Sequence, residues 1–137
     1  MDSLIRNDTK NSPYIYLDQE KGLIEIKGSS LMEDVRAFYD PILEWIYEYI
    51  DHPKVTKVNM DLGFYNLGSA KIYLIILKVL SKIEKTGFRL TINWYYDEND
   101  EKSIDSCLDF SILSNLKFNL IKRINNLTIE QLEKCNE

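Results

Sequence analysis

The stretch from Val58 to Lys71 carries the strongest chemical signal in the chain. Val58 to Leu62 reads as a buried strand, Gly63 to Gly68 as a short turn, and Ser69 as the opening of a helix. A strand feeding directly into a helix leaves free N–H groups and the positive end of the helix dipole at the turn. Such a turn can bind an anion or carry a phosphorylated hydroxyl. Ser69 also suits a plainer role as helix N-cap, which needs only its oxygen.

Other reactive groups are few. The single histidine, His52, lies between Asp51 and Pro53 at a helix end, where a cation helps satisfy terminal carbonyls. No nucleophile is near it in sequence. Cys107 falls on the inner side of a short helix pattern and reads as a small core residue. Cys135 is close to the C-terminus and reads as inert. Asp97, Asn99 and Glu101 match the first, third and fifth places of a calcium loop, but Lys102 stands where glycine is needed and Leu108 where a bidentate Glu is needed. The run is therefore a solvated acidic turn, and no metal site is expected. Nucleotide-loop, zinc-protease and serine-hydrolase motifs are absent from the sequence. Trp94-Tyr95-Tyr96 is either an aromatic interaction surface or a core tryptophan with two tyrosines closing a strand. The shortage of acid–base groups points to binding rather than catalysis, with no cofactor.

The elements that must hold the Val58–Lys71 turn follow from periodicity. Tyr14–Leu17 and Leu23–Lys27 form an antiparallel hairpin joined by the turn residues of 18–22. Ser30 and Glu33 suggest a capping box for a helix whose apolar residues run from Val35 to Ile50. Pro41 lies inside that pattern and is expected to kink or split the helix near Tyr39–Asp40. Strands are expected at about 14–17, 23–27, 55–62, 88–95 and 118–122, with boundaries good to about two to four residues. A second long helix runs from Ser69 to Lys85, with Ile72, Ile76, Val79 and Ile83 facing the sheet and Gly87 closing it. A short helix follows at Glu101 to Phe110. Thr128 and Gln131 form a capping box for a last helix to about Cys135.

Strands alternate with helices after the hairpin, which predicts an α/β domain on a mixed, mostly parallel sheet of about five strands with three to four helices. One domain suits 137 residues. Residues 1–12 are expected to be a flexible N-terminus, 13–123 the domain, and 124–137 a C-terminal helix extension. Hydrophobic residues make up 45% of the chain, enough for a true core. A net charge of −5 disfavours nucleic-acid binding. No apolar run reaches the roughly 18 residues of a transmembrane helix, so no membrane insertion is expected. The polar N-terminus lacks a signal-peptide apolar region, and two cysteines make no disulfide framework. A reducing cytoplasm is the expected setting.

Six segments in register carry a family resemblance: Ser12–Ile15, Gly22–Ser30, Phe38–Trp45, Phe64–Lys71, Asn93–Tyr96 and Phe118–Ile121. On these the chain resembles the SiaC family of bacterial regulatory phosphoproteins, small domains with a fold like that of STAS-domain anti-sigma-factor antagonists. The resemblance covers about residues 12–121. In that family the turn before the helix reads Asn-Thr-Ser-Ser, and its Thr is the phosphoacceptor. Aligned on Asn66 and Lys71, the Thr position is Leu67 here, the next Ser is Gly68, and Ser69 alone keeps its hydroxyl.

The resemblance implies a non-enzymatic partner-switching module. A serine/threonine-type kinase and a phosphatase would set its state, and an output protein, a diguanylate cyclase, would be bound by the unmodified form. Leu67 and Ser69 are then the phosphosite equivalents, with Phe64, Tyr65, Asn66, Gly68 and Lys71 as the partner-binding turn. Leucine cannot accept phosphate, so the switch is either lost, leaving a constitutive binding module, or moved to Ser69. A small enzyme or anion-binding protein using the 63–69 turn is the remaining reading.

Overall fold

The computed structural model describes residues 1–123. Six strands form one sheet in strict chain order: β1 (Leu4–Arg6), β2 (Tyr14–Asp18), β3 (Leu23–Ser30), β4 (Thr56–Tyr65), β5 (Leu90–Asp97) and β6 (Phe118–Arg123). Pairs β1/β2 and β2/β3 are antiparallel; β3/β4, β4/β5 and β5/β6 are parallel. Helices α1 (Val35–Tyr49), α2 (Leu67–Leu80) and α3 (Glu101–Ser114) make the three parallel crossovers. Each crossover advances one strand in the same direction. Right-handed connection therefore puts all three helices on one face.

The two faces differ accordingly. Ile15, Leu17, Ile24, Ile26, Val58, Met60, Ile92 and Trp94 point toward the helices and are buried. The alternate positions form a polar row, in which Asn119 donates to Asn93, Asn93 to Asn59, and Asn59 to the Glu25 carboxylate, at 3.2, 2.9 and 3.0 Å. Ile72, Ile76, Val79 and Ile83 are buried as expected. The covered face of α2 is wider than that stripe, because Tyr73, Leu77 and Leu80 are buried too.

Several expectations need correction. The sheet has six strands rather than about five. Residues 4–6, inside the segment expected to be flexible, pair with β2, and Asp2 O accepts a 2.8 Å bond from Trp45 Nε1. Strand β4 runs on through Gly63, Phe64 and Tyr65, so the expected six-residue turn shrinks to Asn66. Helix α1 passes through Pro41 unbroken. A proline there costs about 3 kcal/mol, which burial of Tyr39, Ile42, Leu43 and Ile46 around it offsets. The capping box at Ser30 and Glu33 does not form; Asp34 caps α1, its carboxylate accepting from Ala37 N at 3.1 Å. The second helix loses its α-geometry at Leu80 and ends as a 3-10 helix over Ser81–Thr86, closed by Gly87 at φ 92° as expected. Helix α3 is four residues longer at its C-terminus than expected. The C-terminal helix expected at Thr128–Cys135 lies outside the described residues.

Candidate functional site

Asn66 organises the turn between β4 and α2. Its N–H donates to Ser30 O at 3.1 Å, and its side-chain amide donates to Met32 O at 2.9 Å. Its side-chain oxygen accepts from Ser69 N at 2.9 Å, and its carbonyl accepts from Ala70 N at 3.0 Å. Asn66 is therefore the N-cap of α2, and the expectation that Ser69 plays that part is overturned. Asparagine is among the strongest N-cap residues, and its spacing from Ser69 was readable in sequence. With Ser69 N and Ala70 N engaged, Leu67 and Gly68 contribute the helix-start amides that have no intrahelical acceptor.

The first turn of α2 points its side chains in opposite senses. Leu67 is 71% exposed, and Phe64, three residues earlier on β4, is 81% exposed. Lys71 is also exposed. Ser69 is fully buried. Tyr65 is half-buried, packing edge-on against Tyr73 and tilted against Phe110 of α3 at ring separations of 5.8 and 6.2 Å. The turn is anchored from below, with two large apolar side chains in solvent.

Glycine is required on the approach to the turn. A Cβ at Gly63 would lie 2.4 Å from Ser29 Oγ, the atom that accepts from Phe64 N at 3.1 Å. Gly68 is packed under α1: a Cβ there would meet Val35 Cγ2 at 3.2 Å, so a serine at this position needs Val35 to yield.

Beneath the turn lies a hydroxyl chain that local sequence reasoning missed. Ser69 Oγ donates to Ser30 O at 3.0 Å and shares a 2.7 Å bond with Ser30 Oγ. Ser30 Oγ lies 2.7 Å from Tyr39 Oη, which lies 2.9 Å from Tyr73 Oη. Donation from Tyr73 to Tyr39, Ser30, Ser69 and finally the Ser30 carbonyl satisfies every hydroxyl. Burial raises the Tyr39 and Tyr73 phenols above their ordinary values. The four groups come from β3, α1 and α2, with bonded partners as many as 39 residues apart, so no short motif announces them.

The remaining candidates fall into structural places. His52 is exposed just beyond α1, its N–H bonded to Tyr49 O at 3.1 Å. Cys107 is buried, which pushes its thiol up to about 11. Trp94 is core, donating to Ser103 Oγ at 2.9 Å, whereas Tyr95 and Tyr96 are half-buried. Asp100 caps α3, and Asp97 and Asp61 both pair with Arg123, tying the ends of β4, β5 and β6 together. A cleft of about 510 Å³ beside Phe64 and Tyr65 is lined also by Trp94, Lys102 and Arg123. Among the described residues no group of His, Cys, Asp and Glu could hold a metal ion.

Comparisons with known proteins agree with this fold. The family model for the SiaC family regulatory phosphoprotein matches residues 6–123. An uncharacterized protein of Pseudomonas aeruginosa is 22% identical over 103 residues, spanning 74% of this chain and 82% of that protein. The structure of SiaC from Pseudomonas aeruginosa superposes with a TM-score of 0.81 at 19% identity, covering 90% of this chain and 100% of that one. A second matching structure holds the diguanylate cyclase SiaD in complex with its activator SiaC, also from Pseudomonas aeruginosa. It gives a TM-score of 0.81 at 20% identity, covering 88% of this chain and 99% of the other. At these identities the two structures bear on the fold.

Proposed function

Given that the chain belongs to the SiaC family of regulatory phosphoproteins, we propose that it is a non-enzymatic docking module. It binds an output protein through the β4–α2 turn and has no phosphate switch at that turn. The observation that carries this reading is the pair Phe64 and Leu67, both held in solvent by a turn whose backbone is fixed by Asn66. Large apolar side chains on a pre-ordered turn bind a partner with little loss of conformational freedom.

The SiaC of Pseudomonas aeruginosa activates a diguanylate cyclase that it binds. A cyclase of that kind is the output protein proposed here. A kinase and a phosphatase acting at the turn would need a hydroxyl at the Leu67 position. Leu67 offers no oxygen, and the Ser69 hydroxyl is buried and bonded twice. A free buried thiol at Cys107 fits a reducing, cytoplasmic setting.

The test is a titration of the purified protein against a diguanylate cyclase of the SiaD type from the same cell, with cyclase turnover measured in parallel. Binding should occur without prior dephosphorylation, and Phe64→Ala should weaken it by about tenfold or more, as loss of an interface anchor does. Absence of binding, or binding indifferent to both Phe64→Ala and Leu67→Ala, overturns the proposal.

A further inference from the structure

A groove of about 300 Å³ lies between α1 and α2. Leu43 and Tyr47 of α1 and Ile75 of α2 give it an apolar lining, and Arg36, Asp40 and Glu44 stand along its α1 wall. Leu43 is buried, Ile75 is half-buried and Tyr47 is 50% exposed. On α2, Leu67, Lys71 and Ile75 follow one another at four-residue spacing and so form one row along the helix. The row starts at the docking turn and ends in the groove. Lys78, three residues past Ile75, lies on the same side of α2.

The two walls carry opposite charge. Lys71 and Lys78 on the α2 side are exposed, as are Asp40 and Glu44 on the α1 side. Arg36 is engaged by Asp40 at 3.1 Å within α1. Among the described residues neither lysine is in an ion pair, nor is Glu44, and no ion pair crosses the groove. A broad anionic surface laid over this face would meet Asp40 and Glu44 together with the lysines and be repelled by them. A rod one helix wide meets the walls separately. Helices pack with their axes about 8–10 Å apart, so a third helix can lie against both α1 and α2.

We propose that the α1–α2 groove receives an amphipathic helix of the output protein, an inference that rests on the β4–α2 turn being the docking site. The helix sets its apolar side on Ile75 and Tyr47, turns acidic residues toward Lys71 and Lys78, and turns basic residues toward Glu44. Leu67, at the head of the row, joins the groove to the turn. Walls of opposite sign fix the rotation of the bound helix about its axis, because the reversed placement sets like charges against each other.

The SiaD-type cyclase is the probe. Lys71→Glu/Lys78→Glu should weaken its binding by about tenfold or more at low salt, and the loss should shrink as salt is raised. Glu44→Lys should weaken it too, although it changes net charge in the opposite sense. Lys57→Glu/Lys117→Glu, on exposed lysines outside the groove, matches the first variant in net charge and should bind as wild type does. All five positions are exposed, so the fold tolerates the changes. Hydrogen exchange on the cyclase should show one helical segment protected on binding. Unchanged affinity in Lys71→Glu/Lys78→Glu, with Phe64→Ala still weakening the complex, overturns the groove and leaves the turn standing; no binding by wild type overturns both. An equal loss in Lys57→Glu/Lys117→Glu overturns the groove because net charge alone is then at work, and protection confined to loops of the cyclase overturns the helix. Tighter cyclase binding in Glu44→Lys, or wild-type sedimentation with phosphatidylserine vesicles that the Lys71→Glu/Lys78→Glu variant loses, assigns the lysines to a broad anionic surface and overturns the proposal as well.

Discussion

Ser30 and Ser69 share a hydroxyl–hydroxyl hydrogen bond of 2.7 Å in a site closed to solvent. The bond ties the end of β3 to the first turn of α2. Leu67 and Ser69 are two residues apart, about 200° around a helix axis, so fixing Ser69 inward turns Leu67 outward. The docking side chain thus takes its orientation from a buried contact it does not touch.

Ser69→Ala should cost about 1–3 kcal/mol, because it removes two buried hydrogen bonds, the one Ser69 Oγ donates to Ser30 O and the one it shares with Ser30 Oγ. Ser69→Asp should cost more, since it places an unpaired carboxylate among buried phenols. Lys71→Ala, on the exposed side of the same turn, should stay within about 0.5 kcal/mol of wild type. Urea midpoints with unchanged slopes would measure all three. A Ser69→Ala midpoint equal to that of wild type would mean that the hydroxyl chain does not hold the turn.

The same chain predicts alkaline sensitivity. The Tyr39 and Tyr73 pKa values are raised by burial, so the folded protein keeps protons that the unfolded chain releases near pH 10. Their contribution to stability is whole below the unfolded value and is lost as pH rises through and beyond it. Stability measured from pH 8 upward should fall steeply above about pH 10. Tyr73→Phe removes one of the two groups and should flatten that fall. An unchanged slope in Tyr73→Phe would remove Tyr73 from the account.

Core and surface at the turn should separate cleanly. Ile76→Ala, at a buried α2 position over the sheet, should cost about 2–5 kcal/mol. Phe64→Ala should leave stability within about 0.5 kcal/mol and reduce only partner binding. Thermal denaturation and the cyclase titration, run on both variants, give the comparison. A large stability loss in Phe64→Ala would make that side chain structural rather than a docking residue.

How far sequence reached is clearest at the β4–α2 junction. The strand and the helix were legible because the apolar period changes from two to about 3.6 across this junction. The family resemblance placed Leu67 at the acceptor position. What stayed hidden depends on contacts distant in sequence. Ser30 looked like a helix cap because Glu33 follows it, but pairing with Tyr65 and burial beside Tyr39 keep it in β3. Pro41 suggested a broken helix because local propensity carries no information about the buried residues on either side. Strand β1 was missed because Leu4 and Ile5 stand among polar residues, and its partner β2 supplies the pattern.

The last prediction concerns the missing hydroxyl. Leu67 is the first residue of α2 and is mostly exposed, so Leu67→Thr changes no core contact. A phosphate on that threonine would sit beside the helix-start amides of Leu67 and Gly68, with the positive end of the dipole behind them. It would add about −1.5 to −2 charges beside the apolar side chain of Phe64 and so oppose docking of an apolar partner patch. Incubation with ATP and a kinase that modifies a SiaC relative, followed by peptide mapping, should therefore give no phosphate on the wild-type turn and phosphate on Thr in the variant. The modified variant should then lose affinity for the cyclase, while the unmodified variant keeps it. Phosphate on Ser69 of the wild type would overturn the constitutive reading, since that hydroxyl becomes reachable only if the first turn of α2 opens. A variant left unmodified while the relative is phosphorylated in parallel would instead mean that Gly68, packed under Val35, has removed the turn from the kinase's reach as well.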